Sequence, residues 1–148
     1  MSRLFQNTVT VYNRYTKNAG SWTGGLPPVP SIAYSHTVIN KVMWKDNVHT
    51  NSSDGKSFIN KTVSITIPLD EMKTDKTFVK PEVFPSIAET NVWSLQVGDI
   101  IVYGECDKDI TPTYSISDLQ KEYKTIKVEA VSDSTDQDVL PKWEINGV

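Results

Sequence analysis

Four carboxylates, Asp99, Glu105, Asp107 and Asp109, crowd one end of a short apolar run, Ile100-Ile101-Val102-Tyr103. Paired carboxylates can exchange protons as general acid and base, and clustered oxygens can hold calcium. The spacing here lacks the glycine and the bidentate glutamate of a calcium loop. The acidic turn at residues 133–138 lacks them too, so solvated turn residues are the expected reading of both. Cys106 is the one thiol. A thiolate nucleophile would need an imidazole beside it. Only His36 and His49 are available. His36 opens a predicted strand, His49 lies in a polar loop, and no motif pairs either with a base, a metal or the thiol. Gly24-Gly25 lacks the spacing and the following Lys-Ser/Thr of a phosphate loop. The sequence therefore predicts no catalytic set, no metal and no cofactor, and a protein that is not an enzyme.

The aromatic residues raise a second chemistry. Four tryptophans and six tyrosines could stack sugars or bases, provided they share one exposed face. Trp44, Trp93 and Trp143 instead stand beside apolar strand residues, where core packing is the expected use.

The elements that must position these residues read as strands. Residues 8–15 (TVTVYNRY) alternate with period two. Residues 16–30 hold three Gly and three Pro and form a long loop, with Trp22 anchoring it to the body. Residues 34–44 form a second strand, with His36, Val38, Asn40, Val42 and Trp44 on one face. Thr37, Ile39, Lys41 and Met43 are on the other, so both faces are mixed. Residues 45–57 are polar, and Asp54-Gly55 is a tight-turn signal, which predicts a hairpin tip or a long finger. Residues 60–67 alternate cleanly, with Val63, Ile65 and Ile67 toward a core.

Short extended pieces and turns are expected over residues 68–90. The "VGD" at residues 97–99 is a corner before a strand: Gly98 permits the backbone angle and the Asp99 carboxylate hydrogen-bonds the turn. Ser117 with Gln120 matches a capping box for a short helix with Ile116, Leu119 and Tyr123 on one face. Residues 125–132 place Ile126, Val128 and Ala130 opposite Lys127, Glu129 and Val131. Trp143 and Ile145 share a face of the last strand. Strands joined by turns predict a mainly β fold, an antiparallel β-barrel or sandwich of six to seven strands with long loops and one short helix.

A chain of 148 residues suits a single domain spanning 1–148. Hydrophobic residues at 38% and charged residues at 22% are those of a globular protein, not a disordered one. A net charge of −3 argues against a broad nucleic-acid or anionic-membrane surface. A single cysteine excludes an intrachain disulfide. No apolar run approaches a membrane span, and the first residues do not resemble a signal peptide, so synthesis and residence in the cytoplasm are expected.

Several phrases in this order, "NTVTVYNRY", "TVINKVMW", "TVSITIP", "VGDIIVYGE", "ISDLQKEY", "TIKVEAVSD" and "LPKWEINGV", resemble small neck proteins of tailed bacteriophages of Gram-positive hosts. These are minor structural proteins of the head–tail connector, head-closure type. The resemblance follows element order over most of the chain and carries no functional residue set. It implies a virion protein assembled in the bacterial cytoplasm. Its subunits would form a homo-oligomeric ring, hexameric or dodecameric, between a portal or adaptor ring and tail-terminator proteins. The ring would seal or gate the channel, and the double-stranded genome would touch it in passing. On that reading the channel loop is Asp46, His49, Asn51, Asp54, Gly55 and Lys56, and the subunit contacts are Trp22, Leu26, Trp143 and Ile145. The alternatives are a tail-terminator or tail-completion ring and a small ligand-binding barrel.

Overall fold

A computed structural model describes residues 6–17, 31–53, 56–70, 72–84, 88, 91–111, 113–134 and 141–148. Its strands are β1 (Asn7–Lys17), β2 (Ser31–Ser53), β3 (Lys56–Pro68), β4 (Thr77–Phe78), β5 (Val92–Trp93), β6 (Ile100–Tyr103), β7 (Thr125–Asp133) and β8 (Lys142–Gly147). The helix α1 (Ile116–Glu122) lies between β6 and β7. Six strands close an antiparallel barrel in the order β1-β2-β3-β8-β7-β6, and β4 and β5 form a separate parallel pair. The predicted mainly β barrel with one short helix is what forms. Closure gives each barrel strand two neighbouring strands, which β2 meets in succession, β1 over residues 31–42 and β3 over residues 43–53.

Alternation explains the core. Val9 and Val11 of β1, Ile65 and Ile67 of β3, and Ile145 of β8 are all buried. They pack into one cluster with Ile101, Ile126, Val128, Trp93 and Trp143. Phe78, Trp93 and Trp143 stack edge-on or tilted, with ring centroids 4.7–5.4 Å apart. The barrel is therefore filled by side chains. Trp44, Trp93 and Trp143 are at most 9% exposed, which matches their expected packing role.

The run Ile100-Ile101-Val102 is apolar on both faces because both are covered. Ile101 points into the barrel cluster, while Ile100 and Val102 pack outside it with Tyr12, Cys106 and Leu119. Leu119 brings α1 onto that outer face, with Ile116 and Tyr123 against the same cluster. The cap differs from the expected one. Ser115, not Ser117, is the N-cap, and it exchanges hydrogen bonds with Asp118. Aspartate closes the box here in place of Gln120.

Two bulges shift the alternation. Between Asn7 and Thr8 of β1 the partner jumps from Val42 to Asn40, leaving Lys41 unpaired at φ +64°. Thr37 and Ile39 are buried before this point, and Val42 and Trp44 after it. The expected grouping of His36 with Val42 and Trp44 on one face is thus corrected: one extra residue turns the strand over. In β7 the register shifts between Val128 and Ala130. Ala130 is exposed, and Val131 packs against the core instead.

Candidate functional site

Residues 45–57, expected as a polar hairpin tip or a long finger, belong to a long hairpin. β2 and β3 pair without interruption from Met43↔Thr66 to Ser53↔Lys56. The neighbouring strands stop earlier. β1 pairs with β2 only as far as Val42, and β8 meets β3 only from Val63 onward. Asn47 Nδ2 donates to Ser64 Oγ at the root at 2.9 Å, but beyond the Asp46↔Val63 pair residues 47–53 and 56–62 have no strand partner besides each other among the described residues. They form a two-stranded arm about 25 Å long at the usual strand rise. Both outer edges of this arm lack a further strand among the described residues. The sequence of the arm has no alternating apolar pattern. Of the residues expected to line a channel, Asp46 stands at the root. His49, Asn51 and Lys56 take part in the backbone ladder. Asp54 and Gly55 lie outside the described residues.

The root is tied to the barrel by one cation. The Lys124 ammonium donates to Asp46 Oδ2 at 3.1 Å and lies 5.6 Å and 5.4 Å from the ring centroids of Trp44 and Tyr103. Those two rings meet edge to face at 5.0 Å, and Trp44 Nε1 donates to Asp46 Oδ1 at 3.3 Å. The Lys124 hydrogen bond holds the Asp46 carboxyl below its usual range. The ion pair is exposed and contributes little by itself. Its geometry aims the arm. A recess of about 440 Å³ lies beside this joint, lined by Thr62, Val63, Ile126 and Val148 among others.

The four carboxylates do not form one cluster. Asp99 precedes β6 and is 1% exposed, whereas Glu105, Asp107 and Asp109 follow it and are exposed. Asp99 sits in a network of its own. Asn13 Nδ2 donates to Asp99 Oδ2 at 2.8 Å, Gln96 N to the same oxygen at 3.0 Å, and Arg14 N to Oδ1 at 3.2 Å. The expected corner is present, with Gly98 at φ +96° and the carboxylate closing the turn. Asn13 also bonds both backbone groups of Ser94, like one rung of a ladder. Burial pushes the Asp99 carboxyl up to about 6, against the three donors pulling it down. Its partners are all structural, so its role is to pin the segment that carries Trp93 and Leu95 into the barrel. Among the described residues no three His, Cys, Asp or Glu side chains converge as a metal site.

One carboxylate does meet a histidine. Asp109 Oδ1 lies 3.3 Å from His36 Nδ1, and the His36 ring packs on Tyr12 at 5.5 Å. The Tyr12 hydroxyl donates to Lys108 O at 2.6 Å and touches Cys106 Sγ at 3.2 Å. Burial, then the Cys106 contact, raises the Tyr12 pKa far above its ordinary value. Cys106 is 1% exposed, which keeps the thiol from solution. Neither pairing carries a sequence signal, since each joins residues more than 70 positions apart.

His36 also borders a groove of about 790 Å³, whose lining includes Tyr15, Tyr34, Thr37, Asp75 and Lys76. This groove exists because the chain after β3 leaves the edge of β2. Asn40 and Lys73 exchange both backbone hydrogen bonds, at 2.8 Å and 3.0 Å. The chain then departs to pair Thr77 and Phe78 with β5. The Lys76 side chain returns, donating to His36 O at 2.7 Å and to Ser35 Oγ at 3.3 Å. Partial burial lowers the Lys76 pKa.

Two of the four expected subunit contacts need correction. Trp143 and Ile145 are 2% and 0% exposed, because they fill the barrel and have no surface to offer a neighbour. Glu144 and Asn146 are the exposed residues of that strand. Trp22 and Leu26 lie outside the described residues. No curated protein and no solved structure matches the chain. A family profile described as a family of unknown function, DUF6751, matches residues 4–148, and the chain belongs to that family.

Proposed function

We propose that this protein is a structural component of a phage virion, forming a ring at the head–tail junction that seals or gates the DNA channel and docks the tail. The observation that carries the reading is the arm of residues 47–53 and 56–62, which leaves the closed barrel with no further strand beside it among the described residues. A filled barrel supplies a rigid body, and a polar hairpin supplies reach. An arm exposing two unpaired edges is an aggregation hazard in a free monomer and is accounted for where an assembly covers it. Ring symmetry makes modest contacts sufficient, because each copy is held by two neighbours. The net charge of −3 suits passing contact with DNA, since a strongly basic lumen would hold the genome.

Light scattering and negative-stain imaging of the purified protein, alone and mixed with portal complexes, test the proposal. Particles of six or twelve subunits, free or seated on the portal, are expected. Persistent monomer under both conditions sinks it. Binding to a tail tube in preference to a portal would mark the tail-terminator alternative. A barrel that stacks sugars or bases on tryptophan is disfavoured by the burial of Trp44, Trp93 and Trp143.

A further inference from the structure

The arm and the groove are complementary, and both lie on β2. At the groove, Asn40 bonds Lys73 through its backbone and His36 O accepts from Lys76 Nζ. Alternate residues of a strand direct their N–H and C=O groups to the same edge. Val38 and Tyr34 therefore open their backbone groups on the edge that Asn40 and His36 use, and among the described residues no strand pairs there. The Lys76 ammonium stands where the N–H of an added strand would bond. Thr37 Oγ1, in the groove lining, is buried without a partner. At the other end of the same strand, the arm presents backbone edges of its own.

Charge also matches. Residues 45–62 carry Lys45, Lys56 and Lys61 against Asp46 and Asp54, one net positive charge on an acidic chain. The groove lining carries the exposed carboxylates Asp75 and Asp109 against one ammonium, Lys76, a net negative charge.

We infer that the groove along residues 34–38 of β2 receives the β2–β3 arm of a second copy as an added strand. The inference rests on the ring reading above and says how the ring is joined. Backbone hydrogen bonds supply the affinity in this mode of contact, and side chains along the groove set the register. Because donor and acceptor are different surfaces, the contact is head-to-tail; repeated, it closes a ring when the rotation between copies is a whole fraction of a turn, as the ring reading requires, and runs on as a filament otherwise.

Two single-site variants test it. One chain carries Thr50→Cys on the arm and the other Asp75→Cys on the groove wall. Both keep Cys106, whose burial holds the background low. Mixed and mildly oxidised, they should give a disulfide-linked pair of unlike chains at least fivefold above either like pair. Shifting the arm cysteine to Asn47 or Ser52 scans the register. In a separate chain, Asp75→Lys with Asp109→Lys should weaken association at least tenfold at unchanged melting temperature. Full rings that form without arm-to-groove linkage, and that tolerate the charge reversal, overturn the inference while leaving the ring intact. Monomer at every concentration overturns both.

Discussion

Asp99 and Gly147 each tie the fold to the identity of one residue, and each permits a test. The folded pKa of Asp99, about 6, lies above the ordinary aspartate value of 3.8. Its protonated form is therefore the one folding favours. The stability this brings is fully present below pH ~4 and is lost as pH rises through 6. Two pKa units amount to about 3 kcal/mol. Urea unfolding of the wild type and Asp99→Asn at pH 4, 5, 6 and 7 should show the wild type's advantage shrinking toward neutrality. A gap that widens with pH would mean the three N–H donors outweigh burial. Gly147 is constrained by space. A Cβ there would sit 2.5 Å from Lys127 O and 2.9 Å from Ile126 Cδ1. The first obstacle is backbone and cannot swing aside. Gly147→Ala should cost about 1–3 kcal/mol in denaturant titration, as overpacking does. A loss under ~0.5 kcal/mol would show that β7 yields at its bulge.

At the scale of elements, the bulge at Lys41 organises β2. It lets one strand pair with β1 over its first half and with β3 over its second. Left-handed backbone costs a non-glycine residue roughly 1–2 kcal/mol. Lys41→Gly should therefore leave stability unchanged or raise it by up to ~1 kcal/mol, after the entropy glycine adds to the unfolded chain. Lys41→Val should lower it by more than ~1 kcal/mol, because a β-branched side chain resists φ +64°. Equal melting temperatures for the two variants would contradict this. The same bulge marks how far the sequence was legible. Clean alternation located β1 and β3, since period two needs only local information, and an apolar run framed by turns located β6. Lys41 and the β7 shift at Val128 and Ala130 interrupt the period without a glycine or proline to announce it, so the predicted faces failed there. The arm read only as a polar hairpin tip or finger, and its length was hidden, because its sequence has no apolar rhythm. Asp99 was legible as a turn residue, but its bond to Asn13 joins positions 86 apart, and only the closed barrel brings them together. The Lys76 contact to His36 depends on where the chain leaves β2, a tertiary event without a local code.

At the scale of the whole molecule, stability and assembly should separate. The barrel core takes Trp44, Val63, Ile65 and Ile67 from the hairpin's root and contains no described residue of the arm beyond them. The arm contributes length, backbone edges and charge instead. Asp46 and Val63 are register partners, so a two-residue Asn-Gly turn can join them in place of residues 47–62 and keep the strands aligned. That variant should unfold within about 1 kcal/mol of the wild type, because it leaves the core and the Lys124–Asp46–Trp44 joint untouched. Its mass in solution should nevertheless be that of a monomer at concentrations where the intact chain forms rings. Denaturant titration and light scattering on the same samples read the two quantities independently. A truncated chain that still assembles would transfer the contact from the arm to the barrel wall. A truncated chain that loses several kcal/mol would mean the arm supports the barrel, and its free edges would then need an explanation within one subunit.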